Sequence, residues 1–473
     1  MQFVRPDRLA KVTCLALTIT SWLAACSNDS PSNEVTTESA TIPEPASDSP
    51  RAPSDPAPVP AESTDSSSSA APSAPADSSD ASADPADTPV DSTAAPGDSS
   101  DTPTPPSTPT PPSTPTPPPV SPARIRGTNL VGMEGGYGFN TQSGPVPDSD
   151  YAVHSTKAID YLATKNVNVI RFLFSWERMQ STLGGPVPAA STGNYKAYFD
   201  DYKRIVDYAT SKAITVVVEP WQAGGSGAGG ARWRGNLVGG GTVTSAHFAD
   251  FWSKMAALFA NNPRVAIGLV NEPNGMSTMS WFGIAQDAVT AIRTAGFNGD
   301  IYVPGNGWTA AGSWNDSSYD TASPKRSNAY GWLNARGPGL PLLDPLGKSI
   351  VEVHSYADSD ASGSSTQVTS SNVTRSRLTG VVDWAKTHGL KVWLGEVGMY
   401  ASASNASSNW TDFVSYAKSS SDTLLGFAWW ACGKPGWWND IAANGGGHFS
   451  ITPTNDYTTD TVNMDMIEGS FAE

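Results

Sequence analysis

Along residues 123 to 473, short apolar runs take turns with stretches whose apolar residues recur at helical spacing. Eight runs read as strands: Ile125 to Val131, Val167 to Ile170 ending at Arg171, Ile214 to Val218, Val265 to Leu269, Ile301 to Val303, Ser349 to Val353, Lys391 to Gly395, and Leu424 to Trp430. Tyr151 to Lys165, Tyr195 to Ser211, Ala246 to Phe259, Trp281 to Ala295, Leu378 to His388 and Asn409 to Ala417 read as helices. Stops stand where they are needed, at Asn261-Asn262-Pro263, Gly296 and Gly389. One strand-helix unit per roughly 30 to 50 residues predicts an α/β protein, a (β/α)8 TIM barrel rather than a doubly wound sheet. A dinucleotide-type sheet would need a glycine-rich phosphate loop after the first strand, and none is there. The glycine-rich run Gly224 to Gly230 follows the third strand without that spacing and reads as a surface or substrate-side loop.

Polarity switches abruptly at two strand ends. Val265 to Leu269 gives way to Asn271-Glu272-Pro273, and 124 residues later Val392-Trp393-Leu394-Gly395 runs into Glu396. The C-terminal ends of barrel strands are where such folds place their chemistry. Two glutamates brought to one rim are what glycosidic bond hydrolysis requires, one to protonate the leaving oxygen and one to attack or to activate water. Arg171, Asn271, His354, Tyr356, Trp429 and Trp430 fall at the same predicted strand ends. Glu272 would be the acid/base if its surroundings raise its pKa, and Glu396 the ionised nucleophile. Arg171 beside a carboxylate would keep it charged, Tyr356 could donate to the nucleophile, Asn271 could bind a sugar hydroxyl, and His354 could tune the acid. Blander readings stand beside these: Arg171 as a structural ion pair, His354 as a satisfied core histidine. Neighbours on a strand face opposite ways, so only one of Trp429 and Trp430 can offer its ring to a sugar, and the sequence leaves open which.

Composition is uneven. The formal net charge is −16, but residues 27 to 122 carry fifteen Asp or Glu against the single Arg51 and hold no aromatic residue. The acidity is a property of that segment. Its density of Ser, Pro, Thr and Asp cannot bury enough apolar surface to fold, so 26–122 is expected to be a disordered linker, extended near its repeated Thr-Pro-Thr-Pro-Pro-Ser. Before it, Arg5, Arg8 and Lys11 precede an apolar stretch ending in Leu23-Ala24-Ala25-Cys26, which resembles a bacterial lipoprotein signal (residues 1–25) with lipidation at Cys26. A secreted protein anchored to the outer membrane, at the cell surface or in the periplasm, is expected. With Cys26 acylated, Cys432 has no partner, so the 123–473 body relies on its core rather than on disulfides.

Sixteen tryptophans are many for this length. Trp221, Trp233, Trp308, Trp314, Trp437 and Trp438 lie outside the regular segments and suggest an open groove with several sugar-stacking positions, unless some merely cover the barrel ends. No metal or other cofactor is expected: His154, His247, His388 and His448 are scattered without a His-Glu-x-x-His pattern. Asp358-Ser359-Asp360-Ala361-Ser362-Gly363 opens like a calcium loop, but Thr369 stands where a bidentate glutamate would be. No Gly-x-Ser-x-Gly elbow supports a serine hydrolase.

Leu269-Val270-Asn271-Glu272-Pro273, Val303-Pro304-Gly305-Asn306-Gly307-Trp308-Thr309, Glu352-Val353-His354-Ser355-Tyr356 and Leu394-Gly395-Glu396, in that order, resemble glycoside hydrolase family 5, within it the bacterial and fungal endo-β-1,4-glucanases. The resemblance implies a retaining double displacement on a β-linked polysaccharide or oligosaccharide, with Glu272 as acid/base and Glu396 as nucleophile. It implies sugar-site roles for Arg171, Asn271, His354, Tyr356 and Trp430, to which Trp221 and Trp308 are added as aromatic candidates. A monomer without nucleic-acid partners is expected. One departure bears on substrate: the family's third-strand histidine is absent, and Trp221 in Val218-Glu219-Pro220-Trp221-Gln222 stands in its neighbourhood. Xylan, mannan or mixed-linkage glucan, or a non-catalytic glycan-binding barrel, remain the alternatives.

Overall fold

The structure is a computed structural model that describes residues 125–135, 144–221, 230–437 and 447–471. The signal (1–25), Cys26, the 26–122 linker, Trp438 and all but Gly230 of the Gly224 to Gly230 run lie outside the described residues. Eight parallel strands close into a barrel: β1 (Ile125–Leu130), β2 (Val169–Ser175), β3 (Thr215–Trp221), β4 (Val265–Gly268), β5 (Ile301–Pro304), β6 (Ser349–Tyr356), β7 (Val392–Gly398) and β8 (Leu424–Cys432). Each pairs with its sequence neighbours, and β8 closes on β1 with Thr128 beside Trp429. All eight expected strands are present, and the fold is the expected (β/α)8 barrel.

The crossovers are helical: α1 (Thr156–Thr164), α2 (Gly193–Ser211), α3 (Ser245–Phe259), α4 (Thr278–Thr294), α5 (Asn328–Leu333), α6 (Val373–Thr387) and α7 (Ala406–Ser419). Their apolar faces (Tyr198, Tyr202 and Ile205 of α2, for example) pack on the outward side chains of the strands as one continuous core. α1 starts five residues later than the apolar pattern from Tyr151 predicts. Ser155 caps it, its hydroxyl accepting from the Lys157 amide at 3.2 Å, while Tyr151 is buried in the entry loop with an edge-on contact to Tyr198.

Inside the barrel, alternate residues of each strand build layers. Val169, Val217, Ala266, Tyr302, Ile350, Trp393, Leu425 and Ala428 form an apolar floor. Two residues on along three of these strands stand Arg171, Glu219 and Glu352, all fully buried, so the second layer is charged. Two further on are Leu173, Trp221 and His354, at the C-terminal mouth. This corrects the placement of Arg171 at the end of β2: the strand continues to Ser175, paired through to Trp221, and Arg171 lies in its middle, opposite Asn129 of β1. β7 departs from strict alternation. Val353 pairs with Leu394 but His354 with Glu396, so Gly395 is an extra residue, and the bulge turns Glu396 inward beside the charged layer.

Candidate active site

The charged layer is built around one guanidinium. Arg171 donates from Nε and Nη2 to the two oxygens of Glu219, from Nη1 to Asn129 Oδ1 and Glu396 Oε1 (both 2.8 Å), and from Nη2 to Asn271 Oδ1 (2.7 Å). Its Nε also lies 3.1 Å from Glu352 Oε1. Three carboxylates around one buried cation hold the Arg171 proton firmly, against the opposing effect of burial. Room for them comes from two glycines: a Cβ on Gly268 would overlap the Glu219 carboxylate, and one on Gly395 the Glu352 carboxylate. Burial pushes the Glu219 carboxyl up to about 8 even with Arg171 against it.

Above this layer the two glutamates singled out by the sequence meet. Glu272 follows β4 in a loop and adopts a left-handed backbone, φ 49°, a conformation a non-glycine residue holds only where its surroundings enforce it. Its Oε1 is 2.9 Å from His354 Nδ1, and its side chain is 19% exposed. Glu396 is buried, with Oε1 on Arg171 and Oε2 accepting from the Tyr356 hydroxyl. His354 Nδ1 is 3.5 Å from Glu396 Oε2, and its Nε2 is 3.4 Å from Glu352 Oε1. Carboxylate oxygens of Glu272 and Glu396 and a ring nitrogen of His354 all lie within 4.8 Å of one another.

Burial works against charge on His354, but Glu396, Glu272 and Glu352 outweigh it and push its pKa up to about 10. Burial likewise raises the Glu396 carboxyl, while the charges of His354 and Arg171 and the Tyr356 hydroxyl act the other way. The Tyr356 hydroxyl is held well above its ordinary value by burial and by Glu396. Asn271 Oδ1 accepts from Arg171, and its Nδ2, also buried, has no partner among the described residues.

The aromatic candidates separate. Trp429 faces out of the barrel into the core: it is fully buried, donates from Nε1 to the Phe449 carbonyl (2.7 Å) and packs edge-on against Trp410. Trp430 faces in, partly exposed, and stacks on Trp221 with ring centroids 5.4 Å apart and planes at 28°. The two sit over Val131, Leu173 and Ala431, across the mouth. Trp308, in the loop after β5, is 46% exposed at φ 59°. Its amide donates to the Pro273 carbonyl (3.1 Å), so the ring stands next to the Glu272 loop. Trp314 is not a groove residue: it is fully buried, its ring against Trp384 and Gly305. Trp233 is half-buried, its Nε1 donating to the Gln180 carbonyl.

Two of the scattered histidines have other employment. His247 completes a capping box with Thr244 at the start of α3, and His388 bonds the Trp384 carbonyl at the end of α6. Asp358 accepts amide hydrogens from Gly363 and Ser365 of its own loop. Among the described residues, Glu272, His354 and Glu396 are the group whose donor atoms are close enough to hold a metal, but Arg171, Tyr356 and the imidazole already engage the carboxylates. Asn129, Glu219 and Glu352 are the site residues that strand-end reasoning missed. A charged residue within or at the end of a β-branched run buried on both faces is the signal that finds the two glutamates; Asn129 carries no such mark.

Comparison with known proteins agrees with this geometry. The family model described as cellulase (glycosyl hydrolase family 5) matches residues 127–433, well over half of the chain. Endo-beta-1,4-glucanase A of Emericella nidulans is 30% identical over 322 residues, covering 67% of this chain and 85% of that protein. Among solved structures, a triple mutant of an endo-beta-1,4-glucanase from Xanthomonas axonopodis pv. citri superimposes with a TM-score of 0.62 at 30% identity, over 74% of this chain and 99% of that one. XacCel5A in complex with cellopentaose gives the same TM-score at 28% identity, over 73% and 99%.

Proposed function

The chain belongs to glycosyl hydrolase family 5, and on that premise we propose that this glycoside hydrolase is a retaining endo-β-1,4-glucanase with Glu272 as acid/base and Glu396 as nucleophile. The observation that carries the proposal is that an oxygen of Glu272 and an oxygen of Glu396 lie within 4.8 Å of each other, on either side of His354 Nδ1, at the C-terminal mouth of the barrel. Retaining enzymes set their carboxyl groups about 5–5.5 Å apart, and inverting enzymes need about 6.5–9.5 Å to admit a water. In the first step Glu396 attacks the anomeric carbon, the glycosidic C–O bond breaks, and the Glu272 proton goes to the departing oxygen. In the second, Glu272 takes a proton from water as the water oxygen displaces Glu396 from that carbon.

Both Glu396 oxygens accept from donors that favour its ionised form, whereas Glu272 is part-exposed, as a residue must be that exchanges protons with leaving group and water. Asn271, with an unpartnered amide, would donate to a sugar hydroxyl. Trp430, backed by Trp221, would stack under the sugar at the cleavage point, and Trp308 beside the Glu272 loop would stack on the leaving side. The cellopentaose complex of a relative supports a β-1,4-glucan occupant. An extracellular enzyme tethered through acylated Cys26 is the location that the order of basic, apolar and cysteine residues supports.

The test is product analysis of the full chain on a panel of β-linked oligosaccharides. Cellopentaose should be cut internally, with the β-anomer as first product by proton NMR. Glu272→Gln and Glu396→Gln should each lose at least about 10³-fold in kcat while melting like the parent. An α-anomer as first product, or turnover retained in either variant, rules the assignment out.

A further inference from the structure

Glu352 is fully buried, out of reach of any substrate, and one of its oxygens touches both halves of the site. Oε1 is 3.1 Å from Arg171 Nε, and Arg171 Nη1 is 2.8 Å from the nucleophile Glu396. The same Oε1 is 3.4 Å from His354 Nε2, and the opposite ring nitrogen is 2.9 Å from the acid/base Glu272. Oε2 has no hydrogen-bond partner among the described residues. The backbone keeps the carboxylate in place: Thr309 Oγ1 donates to the Glu352 carbonyl at 2.6 Å, and Gly395 leaves its side free. Glu219, by contrast, bonds Arg171 and makes no bond to His354.

We propose that Glu352 is a positioning residue that links the ionisation of the two catalytic carboxylates, through Arg171 to Glu396 and through His354 to Glu272. This rests on the retaining reading above. A negative charge at this point engages the second N–H of the His354 imidazolium, whose charge Glu396 and Glu272 also hold, and it offsets part of the Arg171 charge felt by Glu396. The titratable and charged groups around it are Arg171 from β2, Glu219 from β3, Glu272 from the loop after β4, Tyr302 from β5, His354 and Tyr356 from its own strand, and Glu396 from β7. Removing the charge makes the potential more positive at all of them, so carboxylates and imidazolium alike give up their protons at lower pH. Both limbs of the activity profile therefore move in the acid direction together. A purely structural residue would change kcat or stability and leave the limbs where they were.

The experiment is the pH profile of kcat/KM for the full chain on an aryl β-cellotrioside, parent against Glu352→Gln and Glu352→Asp. E352Q is expected to shift both limbs acidward by about one pH unit, with KM within about threefold of the parent. E352D, which keeps the charge on a shorter arm, should lose kcat and return the limbs to the parental positions. A folded E352Q with unmoved limbs, or one limb moving alone, overturns the proposal. In case E352Q does not fold, the parent protein gives an independent answer by ¹⁵N-histidine NMR. Both ring N–H protons of His354 should be seen at neutral pH, whereas a bare Nε2 would refute a bond to Glu352. If E272Q and E396Q are dead and E352Q is unshifted, only this inference fails. An inactive parent would instead sink the functional reading and leave the NMR result to decide this one.

Discussion

Arg171→Lys keeps the buried positive charge and discards the fork. In the parent, Arg171 donates to Glu219 twice and to Asn129, Glu396 and Asn271, with Glu352 in ion-pair range. A lysine ammonium has three hydrogens on one atom and cannot span carboxylates on β3, β6 and β7 at once. At least two charge-assisted bonds go unmade. Stripping a buried charge of its partner costs about 3–5 kcal/mol, and since the ammonium retains some attraction the lower half of that range is expected. For a body of this size that lowers Tm by roughly 5–10 °C. Glu396 loses the donor on Oε1 that aligns it, so kcat falls by about 10²-fold or more.

The penalty should depend on pH in a definite sense. Burial already pushes the Glu219 carboxyl up to about 8, and a weaker cation beside it pushes it further. Protonation relieves the unpaired charge, so the Tm gap between R171K and the parent should be smaller at pH 5 than at pH 8. Scanning calorimetry at the two pH values, with kcat on cellopentaose at each, is the measurement. A variant within 1 °C and threefold of the parent would refute the account of the second layer as an ion cluster held by geometry. So would a gap that widens toward acid.

Two further outcomes follow from the same reasoning. Burial pushes Glu134 and Glu177 up to about 7 and Glu219 up to about 8, from 4.5. The folded state then binds more protons than the unfolded chain between these values, and stability present below pH 4.5 is lost as pH rises toward 8. His354, up to about 10, adds a loss that begins above pH 6.5, and buried His154, down to about 4, opposes only below pH 6.5. Thermal melts should therefore give a Tm at pH 8 at least about 5 °C below that at pH 5.5, and a Tm rising over this interval would contradict the assignment. Trp221→Ala removes the ring stacked on Trp430 and should raise KM for cellopentaose about 3–10-fold with less change in kcat; an unchanged KM would mean that Trp430 needs no backing.

What the sequence made legible is what periodicity can express. Eight buried parallel strands stand out as apolar runs because both faces are covered, and Glu272 and Glu396 stand out because polarity breaks where those runs end. Arg171, Glu219 and Glu352 are different, since strand-end reasoning looks for charge past the apolar run and these lie within it. Glu219 is preceded by Val216-Val217-Val218, and Glu352 sits between Val351 and Val353. A carboxylate there is tolerable only if a cation from another strand reaches it, and that depends on register: β1 to β2 places Asn129 opposite Arg171, and the bulge at Gly395 brings Glu396 opposite His354. A bulge adds one residue without a distinctive composition, so a glycine before a glutamate looks like any strand end. The same local argument explains the tryptophans. Strand alternation requires Trp429 and Trp430 to face opposite ways but is silent on phase, and the phase is fixed by Ala428 on the barrel floor two residues before Trp430. The candidate site is thus built on a layer whose members make sense only together: each buried acid is a liability alone, and the cation that makes them tolerable is the one that holds Glu396.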